Sequence, residues 1–95
     1  MALYVLVCRD KPDSLDLRLA TRSEHLAYAG RFSDRMKLAG PILDAAGDMA
    51  GSLLIFEFDS ADQAWAFNRN DPYTQAGLFA DVEVFPFKAT LGALA

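Results

Sequence analysis

Two stretches of the 95-residue chain, residues 3–8 and 52–58, are apolar and rich in residues that favour β-strands. A sheet covered by helices on one face has polar side chains at every second position of its strands. These stretches lack that alternation, as Leu53-Leu54-Ile55-Phe56 illustrates. A chain this short supplies helices for one sheet face only. We therefore expect a homodimer whose sheets pack face to face; the alternative is a second face that tolerates water.

The rest of the hydrophobic pattern predicts helices between these strands. The predicted elements are, in chain order, a strand over 3–8, a helical region over 14–38 with a break near 20–23, a strand over 41–46, a strand over 52–58, a short helix from Ser60, a further turn over 72–77 and a strand over 82–89. The two middle strands are expected to form a hairpin. The order is β-α-β-β-α-β, which predicts one α+β domain over residues 1–95 with a ferredoxin-like antiparallel sheet.

Proline, glycine and short polar residues mark the ends of these elements. Asp13-Ser14 is suited to begin the first helix, and Gly40-Pro41 is suited to end it. Ser60-Ala61-Asp62-Gln63 matches a capping box at the start of the second helix. That helix is expected to end at Asn70-Asp71-Pro72, because a residue before proline disfavours the α conformation. Pro86 predicts an edge position or a bend for the last strand.

The composition limits the classes of function. A net charge of −4 argues against a nucleic-acid phosphate backbone or an anionic membrane as the main partner. The lone cysteine, Cys8, excludes an intrachain disulfide and a multi-cysteine zinc site. One histidine is too little to indicate zinc, and no glycine-rich phosphate motif is present, so we expect neither metal nor cofactor. With no membrane-spanning apolar run and no secretory signal pattern, we expect a cytoplasmic protein.

Proton-transfer chemistry that uses histidine can pass only through His25. The predicted buried face of the first helix is marked by apolar and small residues at helical spacing: Leu15, Leu19, Leu26, Ala29, Ser33 and Met36. His25 lies about 100° from Leu26 around the helix, at the flank of that face. From the flank, an imidazole can reach a cleft and act as general acid or base near neutral pH. The alternative is a half-exposed surface histidine.

Asp71 has two interpretations. Followed by Pro72, it is a good N-cap for a helical turn. It is also a carboxylate that can orient the imidazole of His25 and stabilise its charged form. Because a carboxylate has two oxygens, the two roles can coexist. Sequence spacing leaves open whether His25 and Asp71 meet, although both predicted helices pack on the same face of the sheet.

Several other side chains are candidates for a site. Cys8 lies in a strand predicted to be buried, which favours an inert core thiol over a nucleophile. Arg9, Arg18 and Arg22 can bind an anionic substrate near His25, with solvated helix charges as the commoner explanation. The following aromatic residues are most simply core or interface residues that can also line an apolar pocket: Tyr4, Tyr28, Phe56, Phe58 and Trp65.

The chain resembles the YciI-like, or YCII-related, proteins along nearly its whole length. The resemblance lies in Leu3-Tyr4-Val5-Leu6, Asp10-Lys11-Pro12, Leu17-Arg18-Leu19-Ala20, Arg22, His25-Leu26, Gly40-Pro41, Asn70-Asp71-Pro72-Tyr73, Ala76-Gly77-Leu78-Phe79, Val82-Glu83-Val84 and Pro86-Phe87-Lys88. It implies a ferredoxin-like α+β fold and a dimer whose sheets form an α+β barrel. It also implies an active site built on a His–Asp pair, which corresponds here to His25 and Asp71.

The implied pair leads to the hypothesis of an enzyme that needs no metal or nucleotide. His25, held by Asp71, would move a proton in the elimination or isomerisation of a small cyclic or aromatic metabolite. Among the relatives that the resemblance implies are a dehydrochlorinase of a chlorinated hydroxyquinol and, at the level of fold, muconolactone isomerase. Arg22, Tyr73 and Tyr4 are the candidate substrate-binding residues. The alternatives are a non-catalytic dimeric module that binds a small ligand and an accessory protein without a pocket.

Overall fold

The computed structural model describes residues 2–95, whose backbone forms four strands and three helices. In chain order these are β1 (Ala2–Asp10), α1 (Leu15–Gly30), β2 (Met36–Leu43), β3 (Met49–Phe58), α2 (Ala61–Asn70), α3 (Pro72–Gln75) and β4 (Phe79–Phe87). The strands form one antiparallel sheet in the order β2-β3-β1-β4. This confirms the predicted ferredoxin-like α+β fold. Within this part of the chain, no helix is both long and apolar enough to cross a lipid bilayer.

The two strands with the longest apolar runs, β1 and β3, form the centre of the sheet. In the register, Leu6 lies opposite Leu54 of β3 and Val84 of β4. Because alternate residues of a strand point to the same face, Leu6 and Cys8 share a face with Leu54 and Phe56. These four side chains are almost fully buried and form the floor of the hydrophobic core.

The helices α1 and α2 cover this face. Ala29 of α1 and Phe67 of α2 belong to the same core, and the ring of Phe67 lies 4.6 Å from that of Phe56. The hydroxyl of Tyr28, on α1, donates to the backbone carbonyl of Phe67 at 2.8 Å, which ties the two helices together. This packing brings the middle of α1 and the end of α2 to the same side of the sheet, where the site lies.

The first helix is shorter than the sequence predicts. It runs without a break through residues 20–23 and ends at Gly30 rather than at residue 38. Residues 31–35 form turns, and Met36 begins β2. Gly40-Pro41 therefore lies inside a strand and does not terminate the helix. Met36 fits the helical spacing by coincidence, since its side chain packs against the core from a strand.

The buried face of α1 also differs from the predicted one. Leu19 and Leu26 are 52% and 51% exposed, whereas Arg18, Thr21 and His25 are buried. Polar groups tolerate burial when their hydrogen bonds are satisfied. Within residues 2–95, no buried side-chain nitrogen or oxygen lacks a hydrogen-bond partner. The buried face of α1 is therefore the one whose polar groups find hydrogen-bond partners, on the sheet for Arg18, at Asp71 for His25 and within the helix for Thr21.

The remaining boundary predictions have mixed outcomes. β2 and β3 form the expected hairpin, with Gly47 at a φ of 88° in its turn, a conformation that favours glycine. α2 begins after Ser60 as predicted, but the capping box does not form. Ser60 makes no side-chain cap, and Oε1 of Gln63 instead accepts from the backbone N–H of Asp59 at 2.7 Å. β4 is an edge strand, the position predicted from Pro86.

The sheet face opposite the helices carries large apolar side chains, and we call it the open face. Val5 lies opposite Ile55 of β3 and Phe85 of β4, and Leu38 of β2 also lies opposite Ile55. Phe85 is 46% exposed and Leu38 is 55% exposed. The missing polar alternation in β1 and β3 thus corresponds to an apolar surface that the helices do not cover.

Candidate active site

His25 and Asp71 are in direct contact. His25 lies in the second half of α1, and Asp71 lies between α2 and α3. The ring atom Nδ1 of His25 is 2.9 Å from Oδ1 of Asp71. The two residues are 9% and 2% exposed, so water competes little for this hydrogen bond. The structure thus brings together the two residues that the family resemblance implied.

The backbone around Asp71 explains its position. Pro72 disfavours the α conformation at the residue before it, and Asp71 has φ −65° and ψ 128°. Its Oδ1 accepts from the backbone N–H of Tyr73 at 2.9 Å, which caps α3. The same oxygen accepts from His25, so the two roles are not divided between two oxygens as expected. The two lone pairs of one oxygen permit both bonds.

This pairing determines which ring nitrogen of His25 meets a ligand. An ionised carboxylate only accepts hydrogen bonds, so Nδ1 carries the hydrogen that Asp71 receives. In the neutral ring, Nε2 then holds a lone pair. His25 lines the adjoining cleft, and Nε2 is the ring nitrogen that is not turned toward Asp71. Such an arrangement allows the imidazole to accept a proton at Nε2 while the carboxylate orients the ring.

Tyr73 stacks on the imidazole of His25. The two ring centroids are 4.0 Å apart, and the ring planes are inclined by 15°. The guanidinium carbon of Arg18 lies 4.6 Å from the centroid of the tyrosine ring, within the range of a cation–π contact. Burial raises the pKa of the Tyr73 phenol, although Arg18 and Arg22 act in the opposite direction. Tyr73 therefore restricts the tilt of the imidazole, and its buried hydroxyl stays protonated near neutral pH.

Arg18 is held by a buried ion pair with Asp10. Its Nε donates to Oδ2 of Asp10 at 2.7 Å, and its Nη2 donates to Oδ1 at 2.9 Å. Nη2 also donates to Oγ of Ser52 at 2.9 Å. The interpretation of a solvated helix charge is therefore wrong for Arg18, because β1 and β3 supply buried acceptors. One sequence signal was available: Arg18 precedes His25 by seven residues, about two helical turns, so the two share a face.

A cleft of about 380 Å³ opens beside these residues. Its charged and polar lining includes Arg18, Arg22, His25 and Tyr73. Most of the remaining wall is apolar and includes Leu26, Met36, Ala39, Pro41, Met49 and Leu54. A concave, mostly apolar surface with a few convergent polar groups is typical of a site for a small molecule.

Seven of the other candidate side chains are absent from the lining of this cleft: Tyr4, Cys8, Arg9, Tyr28, Phe56, Phe58 and Trp65. Tyr4 packs against the hydrophobic core and is absent from the cleft lining. Arg9 lies on the open face, where its guanidinium pairs with Asp81 at 3.1 Å and with Glu83. Cys8 is buried, and burial raises the pKa of its thiol to about 12. The thiol thus stays protonated near neutral pH, as an inert core cysteine does.

Comparison with known sequences identifies the family of this chain. Residues 2–88 match the YCII-related domain. The chain belongs to the YCII-related family. Protein YciI of Escherichia coli O6:H1 is 42% identical over 94 residues, which cover 90% of this chain and 96% of that protein. An uncharacterized protein of Haemophilus influenzae is 37% identical over 93 residues, which cover 90% of this chain and 95% of the relative.

Solved structures show the fold of this YCII-related chain in other proteins. One is the 5-chloro-2-hydroxyhydroquinone dehydrochlorinase of Burkholderia phenoliruptrix AC1100, solved in complex with 2,5-dihydroxybenzoquinone. Its structure matches this chain with a TM-score of 0.88 and 38% sequence identity, and the match covers 93% of this chain and 95% of the dehydrochlorinase. An antibiotic biosynthesis monooxygenase has a TM-score of 0.57 and 15% identity, covering 96% and 100%, which is a likeness of fold alone. The YCII-related chain thus shares its structure with an enzyme that acts on a small aromatic molecule.

Proposed function

We propose that this YCII-related protein is a small-molecule enzyme in which His25 moves a proton of a cyclic or aromatic substrate. The observation that carries the proposal is the 2.9 Å hydrogen bond between Nδ1 of His25 and Oδ1 of Asp71, beside an open and mostly apolar cleft. This bond leaves Nε2 as the ring atom that meets the substrate. The reaction class is elimination or isomerisation, and both begin with a proton transfer that a general base can perform.

The proposed reaction begins when Nε2 of His25 removes a proton from a saturated carbon or a hydroxyl group of a non-aromatic ring, such as the keto tautomer of a phenol, and the imidazole becomes an imidazolium. The electron pair of the broken C–H or O–H bond forms a new C=C or C=O bond. In an elimination, a leaving group then departs with its own electron pair. In an isomerisation, the electrons shift along the substrate and the imidazolium returns the proton to another carbon. The carboxylate of Asp71 stabilises the imidazolium in both cases.

The similarity to the dehydrochlorinase supports an elimination on an aromatic or quinone-like ring. Loss of hydrogen chloride requires removal of a proton and departure of chloride with its electron pair. The two proteins share 38% identity and a TM-score of 0.88. Small cyclic and aromatic molecules, halogenated phenols among them, are therefore the first substrates to test.

Arg22 and Tyr73 are the proposed substrate contacts within the cleft. Both line it together with His25. Arg22 precedes His25 by three residues on α1, so the two side chains are neighbours on the helix surface. The ring of Tyr73 stacks on the imidazole of His25. Tyr4 has no part in this proposal, because it packs against the core instead.

We further propose that the protein is a homodimer that pairs through the open face of the sheet. This face exposes Leu38 and Phe85 beside Val5 and Ile55. Burying such apolar surface against a second copy is favourable by about 25 cal/mol per Å² of apolar area. The cleft lies on the helix-covered side, so this mode of pairing leaves it accessible to substrate.

The experiment for the proposed enzyme measures turnover by a variant that lacks the imidazole. The protein is incubated in D₂O with small cyclic acids and halogenated phenols, including 5-chloro-2-hydroxyhydroquinone. NMR follows deuterium uptake and product, and ion chromatography follows released halide. We expect His25→Ala to abolish turnover while its circular dichroism spectrum stays unchanged. Ser23→Ala, a neighbouring exposed position on α1, is the matched control and should retain turnover.

Two outcomes would count against this proposal. Full turnover by His25→Ala would show that the imidazole is not the base. The wild type could instead bind ligands saturably but show neither deuterium exchange nor product with any of the tested compounds. That result would indicate a non-catalytic module that binds a small ligand.

A further inference from the structure

We propose that Arg22 makes the cleft selective for substrates that carry an acidic oxygen, namely ionised enols, phenols or carboxylates. The inference rests on the proposed function, because it names the charge of the molecule that His25 acts upon. Arg22 would be the residue that distinguishes an anionic substrate from a neutral one of the same shape.

The charges at the cleft contrast with those of the whole chain. The chain has 13 Asp and Glu residues and a net charge of −4. In the described residues 2–95, none of the side chains that line the cleft is acidic. The carboxylates of Asp10 and Asp71 are buried and bonded to Arg18 and His25, which do line it. The wall that a ligand meets is therefore neutral or positive.

Arg22 differs from Arg18 in its partners. Three hydrogen bonds to Asp10 and Ser52 engage the guanidinium of Arg18. Arg22 is exposed, lines the cleft and takes part in none of the ion pairs found within residues 2–95. A guanidinium offers five N–H donors in a planar fork, which matches the lone pairs of an oxyanion. Arg22 is thus the cationic group of the cleft that is free to bind one.

The spacing along α1 places this cation next to the proposed base. Residues three apart on a helix have Cβ atoms about 5–6 Å apart, so Arg22 and His25 are adjacent. A ring that presents a C–H bond to Nε2 of His25 brings an exocyclic oxygen within reach of Arg22. When that oxygen is ionised, its negative charge pairs with the guanidinium and holds the ring in this orientation. The apolar wall then accommodates the body of the ring.

The test measures binding, so it does not depend on turnover. Isothermal titration calorimetry measures the affinities of two pairs of ligands. The first pair is 2,5-dihydroxybenzoquinone, an acidic enol, and the neutral 2,5-dimethoxybenzoquinone. The second pair is benzoate and the nearly isosteric, neutral benzamide. We expect the wild type to bind the anion of each pair about tenfold more tightly, as a charge-assisted hydrogen bond predicts. This preference should weaken as NaCl concentration rises, because salt screens an exposed cation.

Two variants with the same loss of charge complete the test. Arg22→Gln should lose the preference for the anion in both pairs. Arg69→Gln removes a charge from an exposed position in the last turn of α2 and should keep it. Equal affinity of the two variants for both anions would overturn the inference, as would a wild type that does not prefer the anions. The proposed function fails by a different result, turnover by His25→Ala, so the two failures are distinguishable.

Discussion

Asp71 holds His25 through the same carboxylate oxygen that caps helix α3, although 46 residues separate the two in the chain. The orientation of the imidazole therefore depends on the short turn that begins at Pro72. A change that loosens this cap should also loosen the ring. One atom, Oδ1 of Asp71, therefore links the local structure between α2 and α3 to the orientation of the proposed base.

Two substitutions of Asp71 separate its roles. In Asp71→Asn, the side-chain oxygen can still accept from the Tyr73 N–H, but the charge that stabilises the imidazolium is lost. We expect turnover to fall by about 10³–10⁴-fold with little loss of stability. Asp71→Ala removes the cap as well and should lower the free energy of unfolding by about a further 1 kcal/mol. Steady-state kinetics and urea unfolding measure the two effects; wild-type turnover in Asp71→Asn would mean that the carboxylate is only a cap.

The buried pair of Arg18 and Asp10 predicts a large effect on stability. Arg18→Met leaves the carboxylate of Asp10 buried without its partner, which should lower the free energy of unfolding by about 3–5 kcal/mol. The double variant Arg18→Met/Asp10→Leu removes both charges and should recover most of that loss. Urea unfolding followed by circular dichroism measures both. A loss below about 1 kcal/mol in the single variant would contradict a desolvated pair.

Because the Cys8 thiol is buried, we expect the free energy of unfolding to depend on pH in the alkaline range. Burial raises the pKa of its thiol from 9.0 to about 12, so the folded chain keeps a proton that the unfolded chain releases. This contribution to stability is fully present below pH 9 and is lost as the pH rises toward 12. Urea unfolding across this range should show a steeper decline for the wild type than for Cys8→Ala.

Alkylation checks the same prediction independently. Iodoacetamide should label Cys8 slowly in the folded protein near neutral pH and rapidly in urea, because the reactive thiolate is both suppressed and inaccessible in the core. Equal labelling rates in the folded and unfolded protein would show that the thiol is accessible and that burial does not raise its pKa.

The mass in solution tests the homodimer. Light scattering at micromolar concentration should report twice the 10.4 kDa of one chain. Phe85→Lys places a charge on the open face and should produce monomers. Leu19→Lys is the matched control, because Leu19 is 52% exposed on α1 and Phe85 is 46% exposed on β4. A wild-type mass of a single chain, or a monomeric Leu19→Lys, would contradict pairing through the sheet.

Short-range chemistry in the sequence determined the architecture of this protein. The apolar runs at residues 3–8 and 52–58 predicted the two central strands, and Asp71-Pro72 predicted the end of α2. Such signals are readable because strand periodicity and proline restrictions act over a few residues. Together with the order of the elements, they predicted the α+β fold. The resemblance to the YCII-related family then singled out His25 and Asp71.

Only the tertiary structure decided which side chains meet. The helical pattern predicted that Leu19 and Leu26 would be buried, yet α1 buries Arg18 and His25 instead. The helical period identifies the faces of a helix, but the face that the sheet covers depends on partners supplied by other elements. Those partners are Asp10, at the end of the strand before α1, and Ser52 and Asp71, which lie far beyond α1 in the sequence. Their positions follow from packing, and packing is not encoded in local spacing.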